Sequence, residues 1–246
     1  MLFFEWFRIA SEGDKKESVA RLVKAGTGDF DFYLFVILGV AMATMGLLLD
    51  SPTVIIGSML IAPVLYPILS FSLGFVLLDK ALANRSLRTV AVVFFVGLFI
   101  SALLTLILTP LGVTVGEQII ARTHPSLIYF LVACISGFAA TYAIVHKNLN
   151  EMLPGVAISV ALVPPLAATG VGAALLQPSI FLGALVLLIL NITGIALSSM
   201  VAFSLANVHT THAVVKSAVD QENVRLEKEQ KQLEQLHAET QQKTNK

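Results

Sequence analysis

The sequence predicts an all-α polytopic membrane protein whose six transmembrane helices form two inverted three-helix repeats with proline-broken second helices. Three observations predict it. The 246-residue chain is 56% hydrophobic and 13% charged, a composition far from that of a soluble domain. Its charges are segregated: of 32 Asp, Glu, Lys and Arg residues, 11 precede Phe32, 12 follow Leu205 and 9 fall in the 174 residues between. Finally, a proline-framed motif occurs twice in the apolar middle, PTVIIGSMLIAP at 52–63 and PGVAISVALVPP at 154–165, at an offset of 102.

Residues 1–31 read as a cytoplasmic or interfacial segment. Leu2, Phe3, Phe4, Trp6, Phe7 and Ile9 suit a short helix in the membrane interface, where Trp and Phe sit well, or packing on the membrane domain. Glu5 and Arg8 interrupt the apolar core that a signal peptide needs. Six apolar windows follow, at about 32–49, 53–78, 90–109, 127–145, 153–176 and 180–205, each near the roughly 20 residues of a spanning helix. None alternates as a membrane β-strand does. The first three windows make repeat 1 (32–109) and the last three repeat 2 (127–205). The outer loop, 110–126, contains a candidate surface helix from Val113 to Ala121, and 206–246 is a cytoplasmic helical tail.

Basic residues set the orientation. Arg8, Lys15, Lys16, Arg21 and Lys24, then Lys80, Arg85, Arg88, Lys147 and Lys216, flank one side, and Arg122 stands alone on the other. The positive-inside rule then places both termini in the cytoplasm, on one side of the membrane as an even number of spans requires. Because three spans per half is odd, the second half enters from the opposite face.

In each half the middle span carries prolines at membrane depth: Pro63 and Pro67, then Pro164 and Pro165. A proline has no N–H and displaces the carbonyl four residues earlier, so the carbonyls of Met59, Pro63, Val160 and Ala161 are expected to lose helical partners. Such carbonyls coordinate cations, whereas a half-helix restarting after the break offers N–H groups to an anion. Ser58, Tyr66, Ser70, Ser159, Thr169 and Asn191 are the candidate polar contacts, and Gly57, Gly74, Gly170 and Gly172 the candidates for close packing or gating. Paired interruptions in corresponding spans point to a transporter's midplane site. The alternative for any one proline is a packing kink.

Little ionisable chemistry accompanies this apolar core. Asp50 and Glu151 lie near opposite surfaces, as interfacial helix caps or as coupling carboxylates. Neither HExxH, GxSxG nor a P-loop occurs, so neither an enzyme nor a cofactor or catalytic metal is expected. His209 and His212 share a helix face without further ligands, and Cys134 has no disulfide partner. The zero net charge gives no reason to expect nucleic-acid binding. In the tail, Val219, Leu226 and Leu233 repeat every seven residues, but Glu222 and Glu229 interrupt the second seam. Both a short coiled coil, making a homo-oligomer, and a solvated helix fit this pattern.

The stretches LDSPTVIIGSMLIAPVLYPILSFSLG and LPGVAISVALVPPLAATGVGAAL resemble the DUF389 family of hydrophobic prokaryotic membrane proteins, over roughly Asp29 to Leu205. The resemblance implies a polytopic protein of a prokaryotic cytoplasmic (inner) membrane and carries over no catalytic or ligand residue. Some members have a larger hydrophilic N-terminal region; here about thirty residues precede the first window. The expected function is passive or ion-coupled passage of a small solute or ion through the bilayer. A non-transporting membrane scaffold or regulator acting through its tail is the alternative.

Overall fold

The computed structural model describes residues 12–26, 28–111, 115–146, 149, 162–206, 217, 224, 225 and 228, and among them it is all-helical. The aromatic segment 1–9, Glu151, Ser159, His209, His212 and most of the heptad tail lie outside the described residues.

The elements are α1 (Glu12–Ala25), α2 (Phe30–Leu48), α3 (Pro52–Ile61), α4 (Leu65–Val76), α5 (Lys80–Leu108), a 3-10 turn (Thr109–Leu111), α6 (Glu117–Ile120), α7 (Leu127–Val145), α8 (Val163–Ala174) and α9 (Pro178–Leu205). Helices α2, α5, α7 and α9 are each long and apolar enough to cross a membrane. Helices α3 and α4 together make a fifth candidate, bent by 50°. The fifth expected span is represented by α8 alone, since 150–161 are not described. The candidate surface helix is realised as the four residues of α6.

Helix α5 starts about ten residues before its apolar window. Helix α5 begins at Lys80 because the Asp79 carboxylate accepts from the Ala81 and Leu82 amides, both at 3.0 Å, and so caps its first turn. A hydropathy window stops at charge; a capped helix does not.

Three corners join the helices in the same way. The Ser51 amide donates to the Gly46 carbonyl at 2.9 Å, Asp79 to Gly74 at 2.9 Å and Gln177 to Gly172 at 3.0 Å. The residue before each donor is left-handed: Asp50 (φ 52°), Leu78 (φ 56°) and Leu176 (φ 52°). This is the Schellman ending, with a six-residue bond enclosing a four-residue one. In each corner the glycine sits where the next helix crosses. A Cβ would lie 3.0 Å from the Ile55 nitrogen at Gly46, 2.7 Å from Ala83 at Gly74 and 2.5 Å from Phe181 at Gly172.

Two of these corners share one spacing. Leu65, Gly74, Lys80 and Ala83 recur as Val163, Gly172, Pro178 and Phe181, each 98 residues later. This spacing of 98 stands beside the offset of 102 between the proline frames. At that spacing Pro165 lines up with Pro67, each the third residue of its helix.

The half-helices pack on the long helices, and α8 also packs on α2. Half-helix α4 packs on α5 and α9, and α8 packs on α9 and α5; α2 packs on α5, and α7 on α9; α1 packs on α7, and α6 on α2. The core lies where these faces meet, with Val36, Val40, Leu69, Leu73, Ala167, Val171 and Phe203 fully buried.

Candidate functional site

The chain leaves α3 at Ala62, which is extended (φ −81°, ψ 117°), and re-enters helix at Leu65. Pro63 lies inside this break and cannot donate to the Met59 carbonyl. The other three prolines have a different role from the expected one. Pro67 is the third residue of α4, and Pro164 and Pro165 are the second and third of α8. In a first turn no N–H has an acceptor within the helix, so a proline there starts the helix instead of breaking it. The Pro63 carbonyl belongs to no helix, and Val160 and Ala161 lie outside the described residues.

These positions also settle what the half-helix starts can offer. Of the first three N–H groups of α4, Pro67 removes one; of those of α8, Pro164 and Pro165 remove two. The start of α8 keeps one of these three donors and that of α4 two. At the end of α3, the Ser58 carbonyl takes the Ala62 amide at 3.3 Å, and the carbonyls of Met59, Leu60 and Ile61 have no partner within the helix.

Hydroxyl groups around the half-helices spend their protons on backbone oxygen. Ser58 donates to Ile55 at 2.6 Å, Thr169 to Pro165 at 2.8 Å and Ser101 to Ala167 at 2.6 Å. Ser72 donates to Ile68 at 3.0 Å and, across the two halves, to Ala196 at 3.2 Å. Ser70 points elsewhere: it donates to the Leu22 carbonyl of α1 at 3.0 Å. Asn191 is 4% exposed on α9, Pro67 is buried, and Pro63 and Tyr66 are half-buried.

The structure thus brings together Thr169, Gly170 and Gly172 of α8 with the long helices α5 and α9. A Cβ at Gly170 would lie 2.5 Å from the Ser101 Cβ and 2.9 Å from the Leu98 carbonyl. Gly57 lies apart, where a Cβ would meet the Met42 methyl. Ser101 and Gly97 are functional candidates that the sequence reading passed over. Val93, Gly97, Ser101 and Thr105 are all buried at four-residue spacing on α5, a pattern legible as one small, polar helix face.

At the opposite end from α1, Asp50 acts as a cap. Its carboxylate accepts from the Gln118 amide in the first turn of α6 at 2.7 Å. The Arg122 guanidinium bonds the Gln118 carbonyl at 2.7 Å and its side-chain oxygen at 2.9 Å. Burial lowers the Arg122 pKa, an effect that nearby Tyr129 and Asp50 oppose. At the α1 end, Arg225 of the tail stands 3.7 Å from Asp29, the residue that caps α2.

The model of a family described as a domain of unknown function, DUF389, matches residues 59–197. A protein of the archaeon Methanocaldococcus jannaschii, itself described as uncharacterised, is 33% identical over 174 residues, 70% of this chain and 52% of the relative. The chain therefore spans about half the length of that relative. No solved structure gives a significant match.

Proposed function

Since the chain belongs to the DUF389 family and the matched stretch, residues 59–197, contains both half-helices, we propose that it is a membrane transporter or channel-like protein for a small solute or ion. The observation that carries this reading is the pair of proline-started half-helices, α4 and α8, each packed on the long helices of both halves. Interrupted helices in lipid need their freed backbone groups buried in protein or facing a water-filled cavity, and paired interruptions are how transporters build a midplane site.

On this reading six spans form two inverted repeats. The 98-residue spacing of corners and the packing of α4 and α8 on α5 and α9 support it. Both termini face the cytoplasm of a prokaryotic inner membrane; the approach of Arg225 to Asp29 supports a shared face for the two ends, and the basic loops choose the side.

The pathway favours solutes that donate or carry positive charge. First-turn prolines strip N–H donors from the half-helix starts, hydroxyl protons are committed to carbonyls, and the remaining lone pairs and helix-end carbonyls are acceptors. Among the described residues, α3, α4 and α8 carry no ionisable acid or base other than Tyr66. A monovalent cation or a donor-bearing neutral solute fits such a site better than an anion.

The test is uptake by proteoliposomes carrying the purified chain, using monovalent cations, chloride, phosphate, urea and polyols. Saturable entry of a cation or a neutral solute is the expected result. Entry of none moves the assignment to a membrane scaffold acting through the tail.

A further inference from the structure

We propose that α1 is a movable cover over the cytoplasmic mouth of the pathway and that α6 is its counterpart on the outer face, so that the described state is closed at both ends. This rests on the transport reading for its purpose, while its geometry stands apart from that reading.

Helix α1 is amphipathic in fact as well as in sequence. Ser18, Val19, Leu22 and Val23 are 1–4% exposed, whereas Glu17, Arg21 and Lys24 face outward. Residues three and four apart share a face, so one row of side chains makes the whole contact. That row packs on α4, a half-helix of the first half, and on α7, the first span of the second. A helix that only anchored the chain would have no reason to bridge the halves at this point.

The last turn of α1 is fitted to the half-helix. The Leu22 carbonyl accepts the Gly26 amide at 2.8 Å and the Ser70 hydroxyl at 3.0 Å. A Cβ at Gly26 would overlap the Ser70 oxygen, so only glycine permits the approach. The corresponding position on α8, 98 residues on, is Ala168, which has no hydroxyl. Ser70 therefore serves the cover and not a feature common to both halves. Gly26 and Gly28 stand between α1 and α2, where residues that tolerate large backbone changes let a cover swing while the span stays fixed.

On the other face, α6 buries Ile119 completely and packs on α2, as α1 packs on α7. Leu22 and Ile119 are 97 residues apart, the same separation as Phe30 and Leu127, which begin α2 and α7. Asp50 holds the start of α6, and the Thr123 carbonyl just beyond it lies against Gly183. Two covers of corresponding position on opposite faces are what alternating exposure of one site requires.

The experiment measures opening directly. In a Cys134→Ala background, Ser70→Cys in proteoliposomes is treated with a membrane-impermeant thiol reagent from the face bearing the termini. Leu22→Ala is expected to speed labelling by about tenfold or more, since it removes a buried anchor of α1. Leu47→Ala, an equally buried truncation in α2, is expected to leave the rate unchanged. Equal labelling in the two variants overturns the cover. Faster labelling in Leu22→Ala with no flux of any solute upholds the cover and removes the transport reading; unchanged labelling with intact flux removes the cover alone.

Discussion

Gly172→Ala is expected to destabilise the protein by about 1–3 kcal/mol, because overpacking a close-packed site costs that much. The added Cβ would stand 2.5 Å from the Phe181 nitrogen and 2.8 Å from its Cα. Both are backbone atoms at the start of α9, so relief requires α8 and α9 to move apart. The helix-propensity gain of alanine over glycine, about 1 kcal/mol, offsets only part of this. Gly74→Ala is expected to behave alike, its Cβ falling 2.7 Å from the Ala83 nitrogen. Gly57→Ala supplies the contrast, since its Cβ meets only the flexible end of Met42 at 2.8 Å. Thermal unfolding in detergent should show the first two variants melting well below the parent and the third close to it. A Gly57→Ala protein as damaged as Gly172→Ala would contradict this account of the corners.

Pro63→Ala is expected to lower flux by about tenfold or more while leaving yield and melting temperature intact or higher. Proline costs about 3 kcal/mol relative to alanine inside a helix, and only Ala62, Pro63 and Val64 separate α3 from α4. Alanine at 63 restores the donor for the Met59 carbonyl and favours one straight helix over the 50° bend. A 1.4 kcal/mol bias already changes a population tenfold. Pro165→Ala is expected to be mild, because its position in the first turn of α8 needs no donor. Initial uptake rates of the two variants beside the parent decide the matter. Equal losses would mean that the prolines act through some other property than the break.

Much of this architecture was legible in the sequence, for physical reasons that also explain the rest. Apolar runs near twenty residues give α2, α5, α7 and α9, because hydrocarbon thickness sets their length. The start of α5 was not legible from hydropathy, since Lys80, Arg85 and Arg88 are helical and polar at once. The proline frames at 52–63 and 154–165 suggest an offset of 102, whereas the corners GFVLLDK and GAALLQP share one of 98, because like local geometry recurs at both. Pro67, Pro164 and Pro165 read as interior breaks only while the helix starts are unknown. Ser70 looked like a pathway residue because nothing local tells of Leu22, 48 residues away. Ser101 and Gly97 were visible as a four-residue small stripe on α5, but an apolar span full of Phe and Leu drew attention to its lipid-facing side.

The central claim, that corresponding helix pairs enter the bilayer from opposite faces, is tested most directly at Ala81 and Ser179. Both are exposed, lie at the starts of α5 and α9, and are 98 residues apart. Each is replaced by cysteine in a Cys134→Ala background and treated in intact cells with an impermeant thiol reagent. Labelling of Cys at 179 from outside, with Cys at 81 labelled only after the membrane is opened, is the result this account predicts; labelling of both from the same side would contradict it.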